Sequence, residues 1–297
     1  MSRRFLKDAH YSIHKLFKDV EGLSFKSRHD YADNARLFIT QLHEAGYQLS
    51  RIHHIKQRHV KHLVARWQEE RLNPATIKNR VSQMRFIARA ICNPLVVPPN
   101  SELGLAPRQY LSENNKAIRE IDLARFSDPM IRHSVKLQQL FGLRREESLK
   151  FIVTEADKGS KLVLKGSWTK GGIPRTIPIT TEAQRVFLDE LKENLPKGVS
   201  LIPPEKSYRE QEIIYIGQIR LSGYRNLHGL RHAYAQERYR ILTASLSSTE
   251  GWECPRNGGI TADTMNEQQK QVDFVVRRMV SEELGHSRIG IVKVYCG

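Results

Sequence analysis

Leu284-Gly285-His286-Ser287-Arg288-Ile289-Gly290-Ile291-Val292-Lys293-Val294-Tyr295 sets a histidine nine residues ahead of a tyrosine near the end of the sequence. Alone, such a tyrosine reads as a packed aromatic with its hydroxyl at the surface. Three earlier stretches change that reading. They are Phe141-Gly142-Leu143-Arg144-Arg145-Glu146-Glu147, then Thr169-Lys170-Gly171-Gly172 ahead of Arg175-Thr176-Ile177-Pro178, then His228-Gly229-Leu230-Arg231-His232. Each piece is weak by itself, and the ordered set is specific.

In that order the segments resemble the tyrosine recombinases, the phage-integrase family, whose pattern runs from Gly-Leu-Arg through a hairpin lysine, His-x-Leu-Arg-His and Leu-Gly-His-Ser to a late tyrosine. The resemblance implies a two-domain clamp on duplex DNA and metal-free phosphodiester chemistry. That chemistry needs a nucleophile, positive charge for a phosphorane and a proton for the leaving 5′ oxygen. Tyr295 would attack phosphorus and form a 3′-phosphotyrosyl link that a 5′-hydroxyl can reverse. Arg144 and Arg231 would present planar forks to the non-bridging oxygens. Lys170 would protonate the leaving oxygen, with Lys158 and Lys165 as rivals. His228 would accept the phenolic proton or bond a phosphate oxygen, and His286 would bond a non-bridging oxygen. Glu147 would orient the arginines, His232 would support, and Arg145 is a rival of Arg144 that the Gly-Leu-Arg context disfavours.

The implied partners are a double-stranded recombination site and further copies of the chain, a dimer per site and a tetramer at synapsis, with accessory DNA-bending proteins as additional candidates. No cofactor, metal or ATP is expected. A DNA-binding protein that has lost catalysis is the alternative in another class, and a topoisomerase or telomere resolvase shares the chemistry.

Composition agrees with a DNA partner. The 48 Lys and Arg against 32 acidic residues leave a net charge of +16, which favours a polyanion. The 297 residues suffice for two domains, and 39% hydrophobic with 27% charged is ordinary globular usage. Apolar runs such as Leu95 to Val97 are far shorter than a membrane span, and no signal peptide is evident, so a cytoplasmic, nucleoid-associated bacterial protein is expected. Cys92, Cys254 and Cys296 are scattered, without zinc-type spacing, and read as reduced thiols.

The predicted fold class is mainly α with a small antiparallel β-sheet in the C-terminal domain (α+β). Residues 1–93 read as a helical, SAM-like core-binding domain, with helices over about 4–20, from about 27 to Gly46, over about 55–72, and from Pro74 behind an Asn73 cap. Lys56, Arg58, Lys61, Lys78, Arg80, Arg85 and Arg89 on its polar faces are expected beside phosphates. The proline- and polar-rich stretch 94–115 reads as a linker. In the catalytic domain, 116–297, Ser127 should cap a helix leading to Arg144. Strands are expected at 151–153, 161–164 and 175–179, with Lys170 at a hairpin tip. Helices should open at Thr180 or Thr181, at Ser207 and at His228, with another over about 265–284.

One departure from the family pattern stands out. Arg231 and His286 are 55 residues apart, and the excess reads as an insertion around 243–263 without a core role. Because no arm-binding segment is expected before the first helix and only Cys296 and Gly297 follow Tyr295, this insertion is the expected contact between protomers.

Overall fold

Apolar residues at three- and four-residue spacing produce α1 (Ser2–Asp19), α2 (Phe25–Glu44), α3 (Gln57–Glu69) and α4 (Pro74–Ala90). These belong to the first of two units, Met1–Gln109 and Tyr110–Gly297, in this computed structural model. The structure describes residues 2–107, 114–247 and 250–297. Local chemistry starts the helices: the Asn73 side chain accepts from Ala75 N, and Pro74 occupies the first turn, where no N–H is needed. Ile13, Phe38, Leu42, Trp67 and Val81 form the buried core, and Trp67 Nε1 donates to Gln41 Oε1 at 2.9 Å.

The division between the units falls inside the expected linker, 94–115, but the first part of that stretch is packed. Val96, Val97 and Leu103 are buried in the first unit's core, and Arg85 Nη2 donates to the Pro98 carbonyl at 2.9 Å and to Asn100 Oδ1 at 2.7 Å. Residues 94–107 therefore belong to that unit, because the apolar side chains among the prolines find a core face to cover. The rest of the expected linker, 108–113, lies outside the described residues.

In the second unit α5 (Pro129–Phe141) is capped by Asp128, whose carboxylate accepts from Met130 N and Ile131 N, and not by Ser127. Then follow α6 (Arg145–Leu149) and α7 (Val153–Ala156). The strand expected at 151–153 is absent: Phe151 is buried in the connection into α7 and Val153 at the start of that helix. A short apolar run satisfies a strand and a buried connector equally, and here the core takes it without a ladder. The sheet among the described residues has two strands, β1 (Lys161–Leu164) and β2 (Arg175–Pro178), antiparallel with Leu162 opposite Ile177. Capping boxes start α8 (Glu182–Asn194) at Thr181 and α9 (Tyr208–Leu221) at Ser207.

At the centre is α10 (His228–Leu246), buried at Leu230, Tyr234, Ala235, Tyr239 and Leu242 and packed against α5, α11 (Glu267–Glu283) and α12 (Lys293–Cys296). A helix buried on several sides loses a single apolar stripe.

The described part of 243–263 has a core role, contrary to expectation. Cys254 is buried in the main cluster with Cys296, Trp252 Nε1 donates to the Tyr239 hydroxyl at 3.1 Å, and Thr243 Oγ1 donates to the Trp252 carbonyl at 2.9 Å. Residues 248–249 lie outside the described residues. Cys92, Cys254 and Cys296 are free thiols. Among the described residues no helix is long and apolar enough to cross a membrane, and no group of three or more His, Cys, Asp or Glu could hold a metal.

Candidate active site

Arg231, on the first turn of α10, is 1% exposed and lies between two helix ends. Its Nη1 donates to the Gly142 carbonyl at 2.5 Å and its Nη2 to the Leu284 carbonyl. Those carbonyls follow α5 and α11, where orphan acceptors and the helix dipole favour a cation. The chain can turn there because Gly142 sits at φ +59°, and a Cβ would lie 2.5 Å from the Tyr234 ring. Burial, then the charges of Arg144 and Arg175, push the Arg231 guanidinium down to about 10.

Tyr295, on α12, is 4% exposed. Its hydroxyl lies 3.2 Å from His286 Nε2 and 3.5 Å from Arg231 Nε, and Gln236 Nε2 donates to its carbonyl at 2.9 Å. Burial, with the positive charges of Arg231, Arg144 and Arg175, pushes His286 down to about 3, so its imidazole is neutral near pH 7. The buried His232 ring packs on the phenol with centroids 4.6 Å apart, and burial with its His228 neighbour pushes it down to about 4. His228 is exposed, its ring centroid 6.1 Å from that of Tyr295. His286, not His228, is thus the histidine hydrogen-bonded to the phenol.

Glu147 is fully buried and accepts four hydrogen bonds. Arg144 Nη1 and Arg175 Nη1 donate to Oε1 at 2.7 and 2.6 Å; Arg144 N and Arg175 Nη2 donate to Oε2 at 2.6 and 2.8 Å. Burial alone would raise this carboxyl, but Arg175 and Arg144 outweigh it and hold it below the usual range. Sequence reasoning missed Arg175. The signal was available: in β2 it alternates with Ile177 on the buried face, and a basic residue at a core position announces an internal ion pair.

Lys170 is exposed in the turn between β1 and β2 and lines a cavity of about 440 Å³ with Arg144, Glu147, Arg225 and His228. Arg231, His286 and Tyr295 are not among its lining residues. The rival Lys165 pairs with Glu155 at 2.6 Å, and the rival Arg145 pairs with Glu212. A larger cavity, about 850 Å³, lies in the first unit between α1 and residues 50–54 and holds none of these groups. Convergent charge, not size, singles out the smaller one.

Of the basic residues in the first unit, Lys56, Arg58, Lys61 and Arg89 are exposed. Lys78, Arg80 and Arg85 are half-buried, with the Arg80 guanidinium 5.0 Å from the Trp67 ring centre and Arg85 engaged by Pro98 and Asn100.

Residues 7–93 match a family model described as the N-terminal domain of phage integrase, and residues 111–237 match one described as integrase. No curated protein matches the chain in sequence. In fold the chain is similar to the XerH site-specific recombinase bound to its palindromic difH substrate, at 16% identity over 97% of this chain and 81% of that one, with a TM-score of 0.55. A lambda integrase tetramer bound to a Holliday junction is similar at 14% identity over 94% and 77%, with a TM-score of 0.56. The Tn1549 transposon integrase in complex with circular intermediate DNA is similar at 12% identity over 97% and 94%, with a TM-score of 0.57. Identities this low speak to fold alone.

Proposed function

We propose that this chain, which belongs to the phage-integrase family of tyrosine recombinases, cleaves and rejoins duplex DNA at a specific site to integrate, excise or invert a mobile element. The observation that carries the reading is the Tyr295 hydroxyl held within 3.2 Å of a neutral His286 and 3.5 Å of the Arg231 guanidinium. Once a phosphate's negative charge offsets the arginines that depress it, His286 accepts the phenolic proton, and Arg231 steadies the charge that develops on the oxygen. In the reactive complex α12 carries the phenol to a phosphate in the cavity lined by Arg144, Lys170 and His228. The tyrosine oxygen bonds to phosphorus, the bond from phosphorus to the 5′ oxygen breaks, and Lys170 gives that oxygen its proton. Arg144 neutralises the non-bridging oxygens, and His228 hydrogen-bonds one of them. The charge for the step comes from these side chains, so no metal or ATP takes part.

The net charge of +16 and the exposed Lys56, Arg58, Lys61 and Arg89 support a DNA partner, with the half-buried Lys78, Arg80 and Arg85 as further phosphate contacts. The lambda integrase tetramer on a Holliday junction supports a tetramer at synapsis, which two dimers, one on each site, would form. The work is then done in the cytoplasm, on the chromosome or a mobile element.

Covalent capture tests the reading. A pool of nicked duplexes of random sequence is incubated with the chain in EDTA, and DNA attached to protein is amplified and sequenced. An adduct on Tyr295 that is absent from Tyr295→Phe is expected. An adduct surviving in Tyr295→Phe, or one that needs magnesium, would overturn the mechanism.

A further inference from the structure

We infer that Arg175 is a positioning residue for phosphoryl transfer, holding Arg144 through Glu147 and the His286 loop through Gly285; this rests on the function proposed above. The Arg175 side chain is 5% exposed and spans both oxygens of the Glu147 carboxylate. An ionised carboxylate offers about four acceptor sites. Arg175 fills two of them, and the main chain and side chain of Arg144 fill the other two. Glu147 therefore has no alternative pose, and the direction of the Arg144 head group follows from where Arg175 holds the carboxylate.

The second contact lies on the opposite side. Gly285 has φ +67°, and a Cβ there would lie 2.7 Å from Arg175 Cδ and 3.0 Å from its Nη1. The backbone just before His286 is thus seated on the Arg175 stem, a fit that only glycine allows. One side chain so braces two groups of the site, Arg144 at the cap of α6 and His286 in the loop after α11.

Charge supports the same assignment. Arg144, Arg175 and Arg231 surround a single carboxylate, Glu147, leaving a surplus of positive charge in a largely buried region. A buried ion pair is a poor source of net stability. The surplus is matched when an anionic phosphate arrives. Lysine could not substitute, because an ammonium meets one carboxylate oxygen at a time whereas the planar guanidinium meets both.

The test uses a nicked duplex recovered by covalent capture, with either a phosphodiester or an uncharged methylphosphonate at the cleaved position. Arg175→Met should slow single-turnover cleavage of the phosphodiester about a hundredfold or more, the effect of losing one transition-state donor. Duplex affinity should stay unchanged. Cleavage of the methylphosphonate, which has no anionic charge for Arg144 to neutralise, should suffer much less, and Arg144→Ala should show the same selectivity. Arg175→Lys should fall between, and it carries the test if the methionine variant does not fold. Equal losses on both substrates, or near-normal cleavage of the phosphodiester, would mean that Arg175 only joins β2 to α6. If the unaltered chain gives no adduct, the proposed function fails, and the positioning role is judged without DNA. The Arg144 guanidinium Nη–H resonances, assigned with Arg144→Lys, should be shifted from those of exposed arginines in the unaltered chain and change position in Arg175→Met. An Arg144 signal that stays in place overturns the inference.

Discussion

Gln236 Nε2 donates a 2.9 Å hydrogen bond to the Tyr295 carbonyl. The Gln236 Oε1 in turn accepts from Asn115 Nδ2 and Arg119 Nη2 at 3.3 Å each, so this buried amide ties α12 to the start of the second unit. Gln236→Leu keeps the volume and removes both links. It should lower stability by about 1–3 kcal/mol, the cost of leaving buried polar groups unpaired. Adduct formation on Tyr295 should slow as α12 loosens. Urea denaturation and capture kinetics read the two effects, and unchanged values for both would remove Gln236 from the support of Tyr295.

Arg144→Ala and Arg231→Ala should fail differently. Arg144 is half-buried and its loss leaves Arg175 on Glu147, so the fold should survive while cleavage falls at least about a hundredfold. Arg231 joins the Gly142 and Leu284 carbonyls, so Arg231→Ala should also destabilise the second unit by several kcal/mol, as orphaned buried groups do. Thermal unfolding of the two variants checks this, and equal melting temperatures would contradict the geometry.

Stability should rise with pH between about 3 and the unfolded histidine value of about 6.5. His286 and His232 are pushed down to about 3 and about 4, so below about 6.5 the unfolded chain binds protons that the folded chain refuses. Their contribution is complete above that value and is lost as pH falls through the folded ones, at up to about 1.4 kcal/mol per pH unit for each group. His232→Gln should therefore flatten the pH dependence of the urea midpoint relative to the unaltered chain. Parallel profiles would show that His232 titrates normally in the folded state.

Residues 243–263 should be needed for folding. Trp252→Ala removes a half-buried ring and its hydrogen bond to Tyr239, and should cost about 2–3 kcal/mol, somewhat less than a fully buried tryptophan. Deleting 245–260 takes Cys254 out of the main core as well and should leave the second unit largely unfolded. A deletion variant with native melting behaviour would restore the reading of this segment as an insertion without a core role.

What the sequence determined by itself is mostly local. Asn73 with Pro74, Thr181 with Gln184 and Ser207 with Glu210 announce helix starts because a cap and its partner lie within one turn. The order of Gly142-Leu143-Arg144, Lys170, His228 to His232, His286 and Tyr295 pointed to the family for a related reason, since each short motif carries its own backbone demand, such as the left-handed Gly142. The tertiary structure decided what depends on distant partners. Arg231 finds its acceptors 89 and 53 residues away, Arg175 finds Glu147 28 residues away, and His286 rather than His228 reaches the phenol because Gly285 turns its loop against Arg175. The missing strand at 151–153, the packing of 94–107 and the core contacts of 243–263 share one physical reason: whether a short apolar or polar stretch packs is set by the surface that long-range folding presents to it, and no local spacing records that surface.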